Sequence, residues 1–167
     1  MDNLKALIIH RGGSLDPFIC ANGDKYDSSA RLQAGYNLIY LSDKWNTDHT
    51  EGYKGGILAK GAYYGIVAPR AKDGKMVVKV FHGTAEQVVK VQTDAYLTEP
   101  MLTLPSEIPN PNHGGKAIIQ YVQIHAGGVS WDFSHGCITA LNSGGFNEFD
   151  KFMSLLRLNE KLHIILL

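Results

Sequence analysis

Residues 62–81 read AYYGIVAPRAKDGKMVVKVF. Two apolar runs, 62–68 and 76–81, flank the polar stretch AKDGK. Valine, isoleucine, tyrosine and phenylalanine fill both runs, which is strand composition. Pro69 ends the first run, and Asp73-Gly74 supplies a residue pair suited to a tight reversal. The stretch therefore reads as a β-hairpin, and Lys79 stands out as the one charge inside its second run.

Outward from this hairpin the pattern stays mostly β. Residues 4–9 form a short apolar run stopped by Arg11-Gly12-Gly13, a strand signal. Segment 14–29 is rich in turn residues, and Asn22-Gly23 within it suits a second hairpin. Residues 38–41 read as another short strand, and 42–56 as a long polar surface loop. Residues 88–91 fit either a strand extension or a short helix. Residues 100–115, with Pro105, Pro109 and Pro111, read as loop. Residues 117–124, AIIQYVQI, predict one buried strand. Beyond Cys137, Phe146, Phe149, Phe152, Met153 and Leu156 recur at three- and four-residue spacing, which predicts an amphipathic helix of about three turns. Ser143 is placed to cap it. Residues 162–167 are too apolar to hang free and predict a closing strand inside the sheet. With no internal repeat, low-complexity segment or linker, the expectation is a single domain over 1–167, mainly β, with one helix packed on it.

Composition narrows the function. The 167 residues are 44% hydrophobic and 19% charged, with a formal net charge of zero. A chain of this length buries a sizeable core. Without a basic cluster, nothing predicts a nucleic-acid or anionic-membrane partner. The apolar run at 4–9 is too short for an export signal, and LHIILL at 162–167 is too short to span a bilayer. No membrane insertion is expected, and the chain is expected to act as a monomer. Two cysteines, Cys20 and Cys137, do not make a disulfide scaffold. Pairing them would remove Cys137 as a thiol.

The chemistry concentrates in IHAG, residues 124–127, and SHGCI, residues 134–138. A thiol with its ordinary pKa near 8.5 needs a base or a positive field to become a nucleophile. His125, at the end of a predicted strand, is the candidate base for Cys137. A third group must hold the other ring nitrogen, and Asp132 and the Ala126 carbonyl both qualify. Gly136 permits a tight backbone before the thiol, and the N–H groups of Gly136 and Cys137 are candidates for an oxyanion site. Ser134 and His135 are placed to brace that turn. Trp131 and Phe133 serve either as an apolar wall for substrate or as core, and Tyr121 shares the His125 face only if no bulge intervenes. The plain alternative is a buried cysteine beside incidental histidines. His113, His125, His135 and Cys137 are zinc-type ligands, but their spacing matches neither CxxC nor HExxH, so no metal or other cofactor is expected.

IHAG followed by SHGCI, an amphipathic helix and a last strand resembles the catalytic end of the YkuD-type L,D-transpeptidases, bacterial cell-wall enzymes. Residues 58–66, LAKGAYYGI, resemble in degraded form the Thr-Pro-x-Gly-x-Phe/Tyr segment of that family. The resemblance implies a mainly β L,D-transpeptidase-like β-sandwich or barrel, with the amphipathic helix after the catalytic cysteine and a closing C-terminal strand. It implies Cys137 as nucleophile, His125 as base and the Ala126 carbonyl as orienting group, with Ser134, His135 and Gly136 completing the motif. Thr139 falls where the family usually carries an arginine, which puts it with Trp131 and Tyr121 in the expected substrate region. The implied activity is a cysteine acyltransferase acting on peptidoglycan stem peptides through a thioester. Alternatives are an L,D-carboxypeptidase, another cysteine peptidase or amidase acting on cell-wall peptides, or a non-catalytic domain that binds them. The resemblance also implies the cell envelope or a secreted location. Since no export signal is read at the N-terminus, a cytoplasmic location or delivery by a phage or effector route stays open.

Overall fold

The computed structural model describes residues 4–9, 18–19, 25–26, 32–33, 37–40, 56, 58–126, 138–140 and 153–166. Its strands are β1 (Lys5–Ile9), β2 (Phe18–Ile19), β3 (Lys25–Tyr26), β4 (Leu32–Gln33), β5 (Asn37–Tyr40), β6 (Gly61–Pro69), β7 (Met76–Phe81), β8 (Thr103–Asn110), β9 (Lys116–Gln120), β10 (Gln123–Ala126), β11 (Ile138–Ala140) and β12 (Lys161–Leu166). Two short helices, α1 (Ala85–Lys90) and α2 (Glu99–Leu102), lie between β7 and β8. The protein is mainly β, and among the described residues no sheet closes into a barrel.

Eight strands form one mixed sheet in the order β11-β10-β7-β6-β12-β1-β5-β4. The expected hairpin lies near its centre: β6 and β7 pair antiparallel from Tyr64↔Phe81 to Pro69↔Met76. Gly74, at φ 74°, takes the left-handed turn position, and its N–H donates to the Arg70 carbonyl at 2.8 Å. The closing strand does enter the sheet. β12 runs antiparallel to β6 and parallel to β1, so it lies between a strand near the start of the chain and one from its middle. β2 and β3 pair as the second hairpin, Phe18↔Tyr26, while its connection at 20–24 lies outside the described residues.

Alternation along β6 and β7 sends side chains to two different cores. Tyr63, Val67, Val78 and Val80 share one face with Leu7, Ile124, Leu162, Ile164 and Leu166. Leu104 of β8 and Ile119 of β9 pack over that face. On the opposite face Ile66 and Phe81 pack with Val88 and Val91 from α1 and its end, and with Met101 of α2. A sheet covered on both sides explains why both runs of the central hairpin are apolar almost throughout rather than alternating. Gly65 makes the first packing tight. A Cβ there would stand 2.6 Å from Val78 Cγ1 and 3.2 Å from Ile164 Cδ1.

Three expectations from the sequence are corrected. Residues 100–115 are not loop: they contain the end of α2, all of β8 and a 3-10 turn at Pro111–His113. β8 tolerates Pro105 and Pro109 because it belongs to a two-stranded sheet with β9 whose register shifts between Pro105 and Asn110. Polar groups freed by that irregularity find local partners. Ser106 Oγ donates to the Ile108 carbonyl at 2.7 Å, and buried Asn110 donates through Nδ2 to the Ile118 carbonyl at 3.0 Å.

Second, residues 117–124 are not one strand. Tyr121 adopts φ 58° and breaks the run, so β9 joins β8 while β10 joins the main sheet. Tyr121 is exposed at this break and is not part of β10. Third, the molecule has helices before Cys137. The alternatives for 88–91 resolve to α1, which opens on a capping box. The Gln87 N–H donates to Thr84 Oγ1 at 3.1 Å, and the Thr84 N–H donates to Gln87 Oε1 at 2.9 Å. Of the helix expected over 146–156, only 153–156 are described. There the Leu156 N–H donates to the Met153 carbonyl at 3.1 Å, and both side chains pack against the larger core. The expected loop at 42–56 lies outside the described residues except for Gly56.

Candidate functional site

His125 sits on β10, the second strand from one edge of the main sheet. Its position is fixed from both sides. β10 pairs antiparallel with β7 through Gln123↔Lys79 and Ile124↔Val78, and the Val80 N–H extends the ladder to the Val122 carbonyl at 2.9 Å. On the other side β10 pairs parallel with β11 through Ile124↔Ile138, His125↔Thr139 and Ala126↔Ala140. Ile124 is fully buried in the larger core, so alternation sends half-buried His125 to the opposite face, the one covered further along by α1 and α2.

The same alternation puts Lys79 on His125's face. Residues registered across a pair face the same way, and Lys79 is registered with Gln123, two positions before His125. Diagonal neighbours of this kind lie about 7–8 Å apart, within reach of a long side chain. Lys79 Nζ donates to Asp94 Oδ2 at 2.6 Å, and both side chains are partly buried. Asp94 opens a 3-10 turn, Asp94–Tyr96, whose start is capped by the Ala95 N–H donating to Thr93 Oγ1 at 3.2 Å. The carboxylate is therefore held over the sheet by its own local structure as well as by the lysine.

Among the expected site residues, the fold brings His125, Ala126 and Thr139 together on adjoining strands. It separates Tyr121, which lies in the turn before β10. Trp131, Ser134, His135, Gly136 and Cys137 lie outside the described residues, as do Cys20, Asp132 and Phe133. His113 belongs to the 3-10 turn between β8 and β9, which form a separate two-stranded sheet. Among the described residues no group of three or more His, Cys, Asp or Glu is placed to hold a metal ion. No described helix is long and apolar enough to cross a membrane.

Lys79 and Asp94 are the residues that reading the sequence alone did not assign to the site. A signal existed for the first, since a lysine interrupting an apolar strand must find a partner. None existed for Asp94, whose link to Lys79 spans fifteen positions and depends on the turn after α1.

A shallow cleft of about 380 Å³ lies at the other end of β7, lined by His82, Gly83, Thr84, Gln87, Pro100 and Met101. His82 Nε2 is 3.0 Å from the Pro100 carbonyl, and Thr84 and Gln87 are engaged with each other in the capping box. Its polar groups are occupied by the fold itself, and it stands apart from His125.

No family model matches the chain, and searches of curated proteins and of solved structures return no match.

Proposed function

We propose that the chain is a cysteine acyltransferase of the L,D-transpeptidase type, acting on peptidoglycan stem peptides through a thioester on Cys137. In this reading the main sheet with the β8–β9 hairpin stacked on it is the β-sandwich of such an enzyme. One observation carries the reading: the parallel register His125↔Thr139 between β10 and β11. The connection that leads into β11 ends in Ser134-His135-Gly136-Cys137. One peptide unit separates Cys137 from Ile138, whose Cα is registered with that of Ile124. The motif that resembles the transpeptidase signature thus directly precedes, in the chain, the strand registered with the one that carries His125.

The mechanism follows from the residue chemistry. His125 accepts the thiol proton of Cys137. The thiolate attacks the carbonyl joining the third and fourth residues of a stem tetrapeptide, and N–H groups of the Cys137 turn stabilise the oxyanion. The intermediate collapses by breaking the C–N bond. The departing amine of the terminal D-residue takes the proton back from His125, leaving a thioester. An amine of a second stem then attacks the thioester and forms a crosslink, releasing the thiol. Water in place of the amine gives a carboxypeptidase.

The test is mass spectrometry of the protein incubated with a disaccharide tetrapeptide, with Cys137→Ala as control and an amine-bearing stem as acceptor. The expected result is an adduct on Cys137 that has lost the terminal D-residue, followed by crosslinked product. Free tripeptide without crosslink would make the activity hydrolytic. No adduct and no turnover from a folded protein would overturn the reading in favour of a binding domain or another peptide substrate. Replacing His125 is expected to slow alkylation of Cys137 at neutral pH as well as turnover, because the thiolate fraction falls with the base.

A further inference from the structure

The turn between β6 and β7 carries the chain's one Asp-Gly pair, Asp73-Gly74. Such a pair can react with itself, because glycine has no side chain to shield its amide nitrogen. The Gly74 nitrogen forms a bond to Asp73 Cγ and closes a five-membered ring. One carboxyl oxygen leaves as water, taking the carboxyl proton and the amide proton, and a cyclic imide remains. Water then adds to either imide carbonyl and that C–N bond breaks. One opening returns aspartate. The other leaves the main chain running through the side-chain carbonyl, with one extra methylene in the backbone.

In the folded protein both reacting groups are engaged. Arg70 donates through Nε to Asp73 Oδ1 at 2.9 Å and through Nη2 to Oδ2 at 2.7 Å, and the Lys75 N–H donates to Oδ1 at 3.0 Å. A guanidinium fork fixes a carboxylate in orientation as well as in charge. Ring closure needs the opposite on both counts, a protonated carboxyl that is free to turn toward the next nitrogen. The Gly74 N–H is also occupied, donating to the Arg70 carbonyl at 2.8 Å. Crowding gives no protection here, since a Cβ built on Gly74 would meet nothing within 4 Å. Restraint of the pair therefore rests on these hydrogen bonds, and Arg70 takes part in three of the four.

We propose that Asp73-Gly74 is a site of backbone isomerisation that Arg70 holds closed in the folded protein. The proposal is independent of the reaction assigned to Cys137. An extra methylene at residue 73 falls inside the turn that the Arg70 N–H closes onto the Lys75 carbonyl at 2.9 Å, beside the registered pair Pro69↔Met76. Isomerisation thus strikes the end of the hairpin near the centre of the main sheet.

The experiment incubates the full chain at mildly acidic pH, folded and in urea, and follows isoaspartate at residue 73 by peptide mass spectrometry with electron-transfer fragmentation. Reading the peptide that holds Asp73 keeps Asn22-Gly23 from contributing. The folded wild type is expected to isomerise more slowly than its own unfolded chain. Folded Arg70→Ala is expected to isomerise roughly tenfold faster than folded wild type. Above its midpoint the protonated carboxyl fraction rises tenfold for each pH unit that the midpoint climbs. In urea the two chains are expected to react at the same rate, which separates loss of the clamp from a change in intrinsic reactivity. Arg70→Gln, which keeps most of the side-chain stem without the charge, decides the question if Arg70→Ala does not fold. A folded wild type that isomerises as fast as the unfolded chain, or a folded Arg70 variant no faster than wild type, overturns the proposal.

Discussion

Asp73 shows how much a single turn residue can be shifted by its neighbours. Its carboxylate accepts two hydrogen bonds from the Arg70 guanidinium, at 2.9 and 2.7 Å, and one from the Lys75 N–H at 3.0 Å. The guanidinium first, and the backbone N–H second, hold the carboxyl well below the usual carboxylate range. A depressed folded value means that the contribution to stability is present above the unfolded value near 3.9 and is lost as the pH falls below it. The turn is at the surface, so added salt weakens the effect. In an NMR titration the Asp73 carboxyl is expected to remain ionised in acid where other surface aspartates have protonated. Arg70→Ala is expected to bring its midpoint back most of the way toward 3.9. A midpoint unmoved by that substitution would assign the shift to the backbone alone. At this scale the sequence was informative about backbone and less so about partners. Asp73-Gly74 announced the reversal, but nothing in the order of residues tied Arg70 to Asp73 or Lys79 to Asp94.

Elements were legible where a pattern had room to repeat. β6 and β7, nine and six residues long, were plain, whereas α1 has six residues and a single buried side chain, Val88. With so little periodicity, what defines α1 is its start, the Thr84–Gln87 capping box, which a reading of apolar spacing does not weigh. Thr84→Ala is expected to cost about 1 kcal/mol, seen as a lower urea midpoint at unchanged slope, with Thr84→Ser restoring most of it. A loss confined to Thr84→Ala would identify the hydroxyl, not the side-chain volume, as the source. No change in either variant would mean that packing of Val88 and Val91 and the Lys161 contacts hold α1 without its cap. Two other elements were misread for definite reasons. Prolines at 105 and 109 suggested loop, yet a two-stranded sheet with an irregular register can hold them. The run at 117–124 has no Gly or Pro, so its division depends on Tyr121 taking a left-handed conformation that tyrosine seldom adopts. That break lets one apolar run serve two sheets, and it sets the direction from which β10 brings His125 to β7 and β11.

At the scale of the whole molecule the decisive feature is that the centre of the main sheet is assembled from distant parts of the chain. β12 is registered with β6 from Lys161↔Ile66 to Leu166↔Gly61, and with β1 from Lys5↔Leu162 to Ile9↔Leu166. The strand order from sequence was open, since apolar runs state that strands exist and not which ones pair. The same holds for the site. The cysteine and histidine motifs were visible as a string, but only the pairing β7-β10-β11 puts His125 beside the strand that follows Cys137 and within reach of Lys79. Because β12 bridges the β6–β7–β10–β11 side to the β1–β5–β4 side, the halves have no direct strand contact without it. Leu162, Ile164 and Leu166 are also buried in the larger core. Removing residues 161–167 is therefore expected to abolish the cooperative unfolding transition, not to lower its midpoint, as judged by urea denaturation followed by far-UV circular dichroism and tryptophan fluorescence. Supplying a peptide of residues 161–167 in trans is expected to restore part of the transition in a concentration-dependent way, since binding to the folded form alone stabilises it. A truncated chain that kept a sharp transition would show that the hairpin and its two cores fold as a unit without β12. Placement of His125 would then depend on β7 and β11 alone. Folding is also expected to be slow for the length of the chain, since pairs as far apart as Lys5 and Leu162 must meet before the central strand is held on both sides.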